Sequence, residues 1–189
     1  MKIVYDRNCE LPFVHCKGVD IITKHLTKFA SNVSRIINDT NWVLSIYQME
    51  GTDYEFSLYC GKKVKLIRTI NLHTGYFEHD TFSVDEEFQK MGITKFMIQA
   101  SVSICEELSI KKVVTSAILD GRIVWLKRGF IPFNLEKYFN DLESNGLFVN
   151  QKDRNEYWFT KENIKNNEKV LANISWHGYA MVETLKEFV

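Results

Sequence analysis

The residues best placed to do chemistry lie in one short run, Gln89-Lys90-Met91-Gly92-Ile93-Thr94-Lys95. It falls between a predicted strand ending at Val84 and a predicted helix beginning near Gly92. The first N–H groups of a helix have no backbone partner, and the helix dipole adds positive potential at that end. Such an end receives a phosphate or pyrophosphate. Gly92 removes a side chain where an anion approaches, and Lys90 and Lys95 add charge beside it. Alone, Gln-x-x-Gly is ordinary turn chemistry, so its weight comes from its surroundings.

Other reactive types are scattered. Cys9, His15, Cys16 and His25 lack the paired Cys-x-x-Cys spacing of structural zinc, and no metal is expected. Cys60 or Cys105 could form a thiol nucleophile with a histidine, but Cys105 lies beside an apolar helical stripe and is expected to be buried. Lys62, Lys63, Lys65 and Arg68 could meet an acidic partner. A solvated strand face is the expected explanation. Trp176-His177-Gly178 is expected to anchor the chain's end on the core.

The elements around the run alternate. Asp20 to Asn38 has helical spacing, with Ile22, Leu26, Phe29, Val33 and Ile37 on one stripe. Strands are predicted at Lys2 to Tyr5, Trp42 to Met49, Tyr54 to Tyr59, Val64 to Leu72 and Tyr76 to Val84, with turns at Gly51-Thr52-Asp53, Gly61-Lys62-Lys63 and His73-Thr74-Gly75. A helix follows over Gly92 to Leu108, a buried strand over Ile110 to Ile118 and a short helix over Gly121 to Arg128. Beyond Phe133 the pattern gives a helix near Leu135 to Leu142, a strand at Glu156 to Thr160, a polar helix or loop at Lys161 to Lys169 and a final helix near Tyr179 to Phe188. Helix and strand alternation implies an α/β sandwich with part of its sheet parallel.

Bulk properties bound the rest. The 189 residues suit one domain, and 45% apolar and 13% aromatic residues make it a packed one. Basic and acidic residues balance at 24 each, which makes nucleic acid a poor expectation. Met1 to Arg7 becomes charged at once, unlike a secretory leader, and no apolar stretch has membrane-spanning length. With four cysteines in a chain long enough to hold a core without disulfides, a reducing cytoplasmic setting is expected.

The segment from Tyr76 to Pro132 resembles the GNAT superfamily of N-acetyltransferases. That family carries Gln/Arg-x-x-Gly-x-Gly/Ala between a strand and a helix, read here as Gln89 to Thr94. Val84 stands five residues before the signature, where a valine is usual. An aromatic residue four before a Gly-Phe pair reads here as Trp125-Leu126-Lys127-Arg128-Gly129-Phe130. The match covers about the central third of the chain.

The resemblance implies acetyl-CoA as acyl donor. The amides of Met91 to Lys95 would hold its pyrophosphate. Backbone groups of Phe82 and Val84 would align the pantetheine arm and polarise the thioester carbonyl. Glu78, eleven residues before Gln89, matches the position at which protein-acetylating members carry a general base acting through water; the competing reading is a solvated charge beside His79 and Asp80. By alternation Glu78, Asp80, Phe82 and Val84 share a face unless a bulge intervenes, with Glu78 and Phe82 about 13 Å apart. Trp125 stands where many members place a tyrosine acid, and an indole cannot supply that proton; it would then pack against the CoA arm. Thr94 replaces Gly or Ala, and Ile118 and Gly121 also depart from the usual pattern, Gly121-x-x-x-Trp125 matching a divergent subgroup.

The expectation is therefore a single GNAT-like α/β domain over residues 1–189, a mixed sheet flanked by helices. Its acyl-CoA core spans about 42–133, and 134–189 packs on it. The implied activity is acetyl transfer from acetyl-CoA to an amine, of a protein more than of a small molecule. The alternative is a GNAT-fold binding module without catalysis.

Overall fold

The computed structural model describes residues 1–5, 17–48, 53–118 and 121–189. Cys9, His15, Cys16, Gly51 and Thr52 lie outside these residues. Eight strands form one mixed sheet: β1 (Lys2–Tyr5), β2 (Val43–Gln48), β3 (Tyr54–Cys60), β4 (Val64–Asn71), β5 (Tyr76–Val84), β6 (Lys112–Ala117), β7 (Ile131–Pro132) and β8 (Trp176–Met181). Their order is β1-β2-β3-β4-β5-β6-β8-β7. β1/β2 and β5/β6 are parallel and the other neighbours antiparallel. The helices are α1 (Lys17–Ile37), α2 (Ile93–Glu107), α3 (Gly121–Leu126), α4 (Leu135–Ser144), α5 (Lys161–Asn166), α6 (Glu168–Leu171) and α7 (Val182–Lys186). This is the expected α/β class, a mixed sheet flanked by helices.

Periodicity explains the layers. The α1 stripe Ile22, Leu26, Phe29, Val33 and Ile37 is buried, as is the α2 face Ile93, Met97, Ala100 and Ile104. The two helices pack on each other, and their stripes join one core with Leu44, Phe56, Leu58, Leu66, Ile70 and Phe77 of the sheet. Each such side chain contributes about 1.5–3 kcal/mol by leaving water. Asp20 in the first turn of α1 and Arg35 in its last oppose the helix dipole favourably. The opposite sheet face presents Tyr47, Glu55, Tyr59, Lys65, Ser116 and His177 to solvent.

Two expectations beyond residue 133 are corrected. Glu156 to Thr160 is not a strand. Glu156–Trp158 forms a 3-10 turn whose cap, Asn155, accepts from the Tyr157 amide at 2.9 Å. Trp158 and Phe159 then pack on Phe139 of α4, which holds the segment away from the sheet. Tyr179 to Met181 are not helical: Trp176-His177-Gly178, with Trp176 buried in the core, opens β8 between β6 and β7, and the final helix begins at Val182. Gly178 is required there: a Cβ would stand 2.0 Å from the Ile131 carbonyl oxygen. The chain after residue 133 thus completes the sheet as well as packing on it.

Candidate functional site

The α2 start has the form an anion site needs. Gly92 caps it in the left-handed conformation (φ 83°), no side chain caps the helix, and no acid occupies its first turn. The exposed acids before it belong to the preceding 3-10 turn, Glu86–Phe88, which Asp85 caps by accepting from the Glu87 amide. Among the described residues, no backbone hydrogen bond engages the amides of Lys90 to Thr94. The Lys95 amide departs from expectation, since it donates to the Gly92 carbonyl at 3.0 Å. Gln89 is also occupied: its Nε2 donates to the Val84 carbonyl at 3.2 Å and closes the connector. Lys90, Met91 and Lys95 are exposed and Thr94 is half-buried, but the Ile93 side chain is in the core. Lys90 and Lys95 at an uncapped N-terminus oppose the dipole, and an anion would reverse that cost.

Beside this cradle the sheet opens. The parallel ladder between β5 and β6 runs from Tyr76↔Lys112 to His79↔Thr115 and stops. β5 continues to Val84 against β4, while β6 continues to Ala117 against β8. A gap therefore separates Asp80 to Val84 from Ser116 and Ala117. A bulge helps to open it: Arg68 faces His79 and Ile67 faces Thr81, leaving Asp80 extra. The bulge also reverses parity. Phe82 and Val84 lie opposite Leu66 and Val64 on the core-facing side, while Glu78 lies opposite Thr69 on the other face. The expected shared face of Glu78, Phe82 and Val84 is thus corrected.

At the base of the gap are two buried polar side chains with unmet groups. Arg68 is fully buried, contrary to the expected solvated strand face. Its Nη1 donates at 2.6 Å to both the Ile67 and Thr81 carbonyls, pinning the bulge, while Nε and Nη2 have no partner. His79 is 3% exposed, and neither ring nitrogen has a partner. Its ring stacks on Trp125 at 5.0 Å and touches Phe77 and Phe130. Burial lowers Arg68 to about 9 despite the opposing pull of Asp80, so it stays a cation at neutral pH. Burial, then the Arg68 charge, holds His79 well below its usual range and therefore neutral. Unmet buried donors of this kind are costly and mark a place where a ligand or water belongs. Trp125 packs in the core here rather than at an open surface.

Glu78 faces a different space. A cleft of about 700 Å³ on the open sheet face is lined by Glu78, Val114, Phe133, His177 and Lys112, among others. Glu78 is half-buried and makes no hydrogen bond or ion pair among the described residues. Burial raises its pKa, the Asp80 charge adds to this, and His177 opposes it. Ser116 Oγ lies 3.0 Å from His177 Nδ1 at one edge. Glu78 is thus a half-buried carboxylate on the cleft wall. The sequence gives no site signal for His79, Lys112 or His177. Arg68 carried a signal: it shares the parity of Val64, Leu66 and Ile70 on β4 and so takes an inward position.

No family model matches the chain, and no curated protein matches it. Among the described residues the thiols are Cys60 and Cys105; both are buried, and burial raises both. His25 pairs with Glu107 at 2.7 Å, and the described residues form no metal-binding cluster. No helix among them is long and apolar enough to cross a membrane.

Proposed function

We propose that the chain is a GNAT-type N-acetyltransferase that moves an acetyl group from acetyl-CoA to an amine. The observation that carries this is the parting of β5 from β6 next to the uncapped start of α2. An open strand edge offers main-chain N–H and C=O groups to an extended ligand. The amide-bearing pantetheine chain fits such an edge, with Phe82 and Val84 along the β5 wall. The free amides of Lys90 to Thr94, with Lys90 and Lys95, suit the pyrophosphate. The unmet Arg68 donors at the gap's base fit a site that holds polar groups away from water.

Bound acetyl-CoA supplies an activated thioester carbonyl for an amine to attack. Glu78 takes the proton from the incoming amine on the cleft side, and its raised pKa makes it a stronger base than an ordinary carboxylate. The bulge places it across the sheet from Phe82, so the acceptor enters from the face opposite α2.

One observation favours a second reading, a GNAT-shaped binding module without turnover. Trp125 has no proton to give at neutral pH, and its ionisable ring neighbour, His79, is held neutral. Thiol release separates the two readings. Transfer predicts free thiol when acetyl-CoA and an amine are mixed with the protein, and a rate at least about 100-fold lower for Glu78→Gln. Binding of acetyl-CoA without thiol release above buffer would leave the module.

A further inference from the structure

The cleft on the open face carries charges of both signs that do not meet each other. At the level of Val114 on β6, Glu78 is the register partner on β5 and Tyr179 the partner on β8. Lys112, two residues earlier on β6, leans towards this level and sets its Nζ over the Tyr179 ring, 4.6 Å from the centroid. A carboxylate and an ammonium therefore flank Val114. Glu78 stands on β5, and the ammonium of Lys112 on β6 reaches over Tyr179 of β8, the strand beyond. Neither group has an ion-pair partner among the described residues. Val114 is buried and apolar, and Phe133, stacked on Tyr179 at 5.1 Å, forms an apolar side wall.

We infer that this cleft binds an aminocarboxylate, with the amine at Glu78 and the carboxylate at Lys112; as the acceptor assignment, this rests on the acyl-transfer reading above. The amine and carboxylate of an α-amino acid are separated by one carbon, so one small molecule presents a charge to each group with charge-assisted contacts of about 2.8 Å. A protein lysine brings no carboxylate close to its amine and leaves Lys112 unmatched. A free amino acid satisfies both ends and lays its side chain along Val114 and Phe133.

Direct binding tests this without turnover. Glycine, L-leucine and L-phenylalanine are titrated calorimetrically into the protein, with and without saturating coenzyme A, beside L-leucinamide and L-phenylalaninamide. At least one amino acid binds, and its amide binds about tenfold more weakly. Lys112→Gln reduces that preference to about twofold or less, while Glu78→Gln weakens acid and amide alike. Amides binding as well as the acids, a preference that survives Lys112→Gln, or no binding of any of the three amino acids would overturn the inference. An amino acid that binds but releases no thiol with acetyl-CoA would leave the aminocarboxylate site standing and remove the acyl-transfer reading alone.

Discussion

His79 brings an imidazole into the core, and its two ring nitrogens find nothing there to bond. Its folded pKa lies below the unfolded value. The unfolded chain therefore binds the extra proton first, and stability falls as pH drops below about 6.5. His79→Phe keeps the stack on Trp125 and removes the proton site. Urea unfolding at pH 7.5 and 5 will show a smaller acid loss in the variant. An unchanged acid loss would mean that His79 is not the group responsible.

Arg68 acts in the same sense, in a higher pH range. It is a base with its pKa lowered to about 9, so its burden on the fold is full below that pH and lifts as pH rises beyond it. Glu78 is the acid counterpart. On the proposed base role, its raised pKa moves the acidic limb of acetyl transfer towards neutrality, with activity lost as pH falls and the carboxylate is protonated. A pH–rate profile of kcat/KM checks this, and a flat profile through the weakly acidic range would remove Glu78 from the base role.

Among the elements, two glycines carry opposite kinds of constraint. A Cβ on Gly92 meets nothing within 4 Å, so the constraint is its φ of 83°. Gly92→Ala is expected to cost about 1–2 kcal/mol through the left-handed backbone alone, and to weaken acetyl-CoA binding by disturbing the amides of the α2 start. Gly178 is constrained by space. The Cβ of Gly178→Ala meets Ile131 and Pro132 backbone that cannot turn aside, and a loss of about 3 kcal/mol, or roughly 10 °C in Tm, follows from the overpacking. Calorimetric melting distinguishes this from a neutral change.

The elements were legible where one period ran uninterrupted. The α1 stripe and the strand–turn–helix around Gln89 to Thr94 follow from spacing, within a few residues at each end. β8 was hidden because Trp176-His177-Gly178 offers too little alternation to show a strand, and its placement depends on a close approach that only Gly178 permits. The Glu156 to Thr160 turn was hidden because its aromatics read as strand residues, while the Asn155 cap and the packing on α4 decide otherwise. The bulge at Asp80 was legible only as a condition, and it alone settles which face Glu78 takes.

On the scale of the whole molecule, charge is balanced, 24 basic against 24 acidic residues, so the proposed acyl-CoA site has to draw its anion by local attraction. The α2 start supplies it through backbone amides and two lysines, and the gap beside it supplies the extended edge. The two spaces lie on opposite sides of one sheet: core-facing Phe82 and Val84 along the gap, Glu78 in the cleft on the open face. The residues after 133 matter to this layout, since β8 contributes His177 and Met181 to the cleft and completes the sheet. The central claim is that the gap and the α2 start hold acyl-CoA, and isothermal titration with acetyl-CoA tests it most directly. The account predicts one-to-one binding that weakens at least about tenfold in Gly92→Val; no measurable binding by the wild-type chain, or equal affinity in the variant, would contradict it.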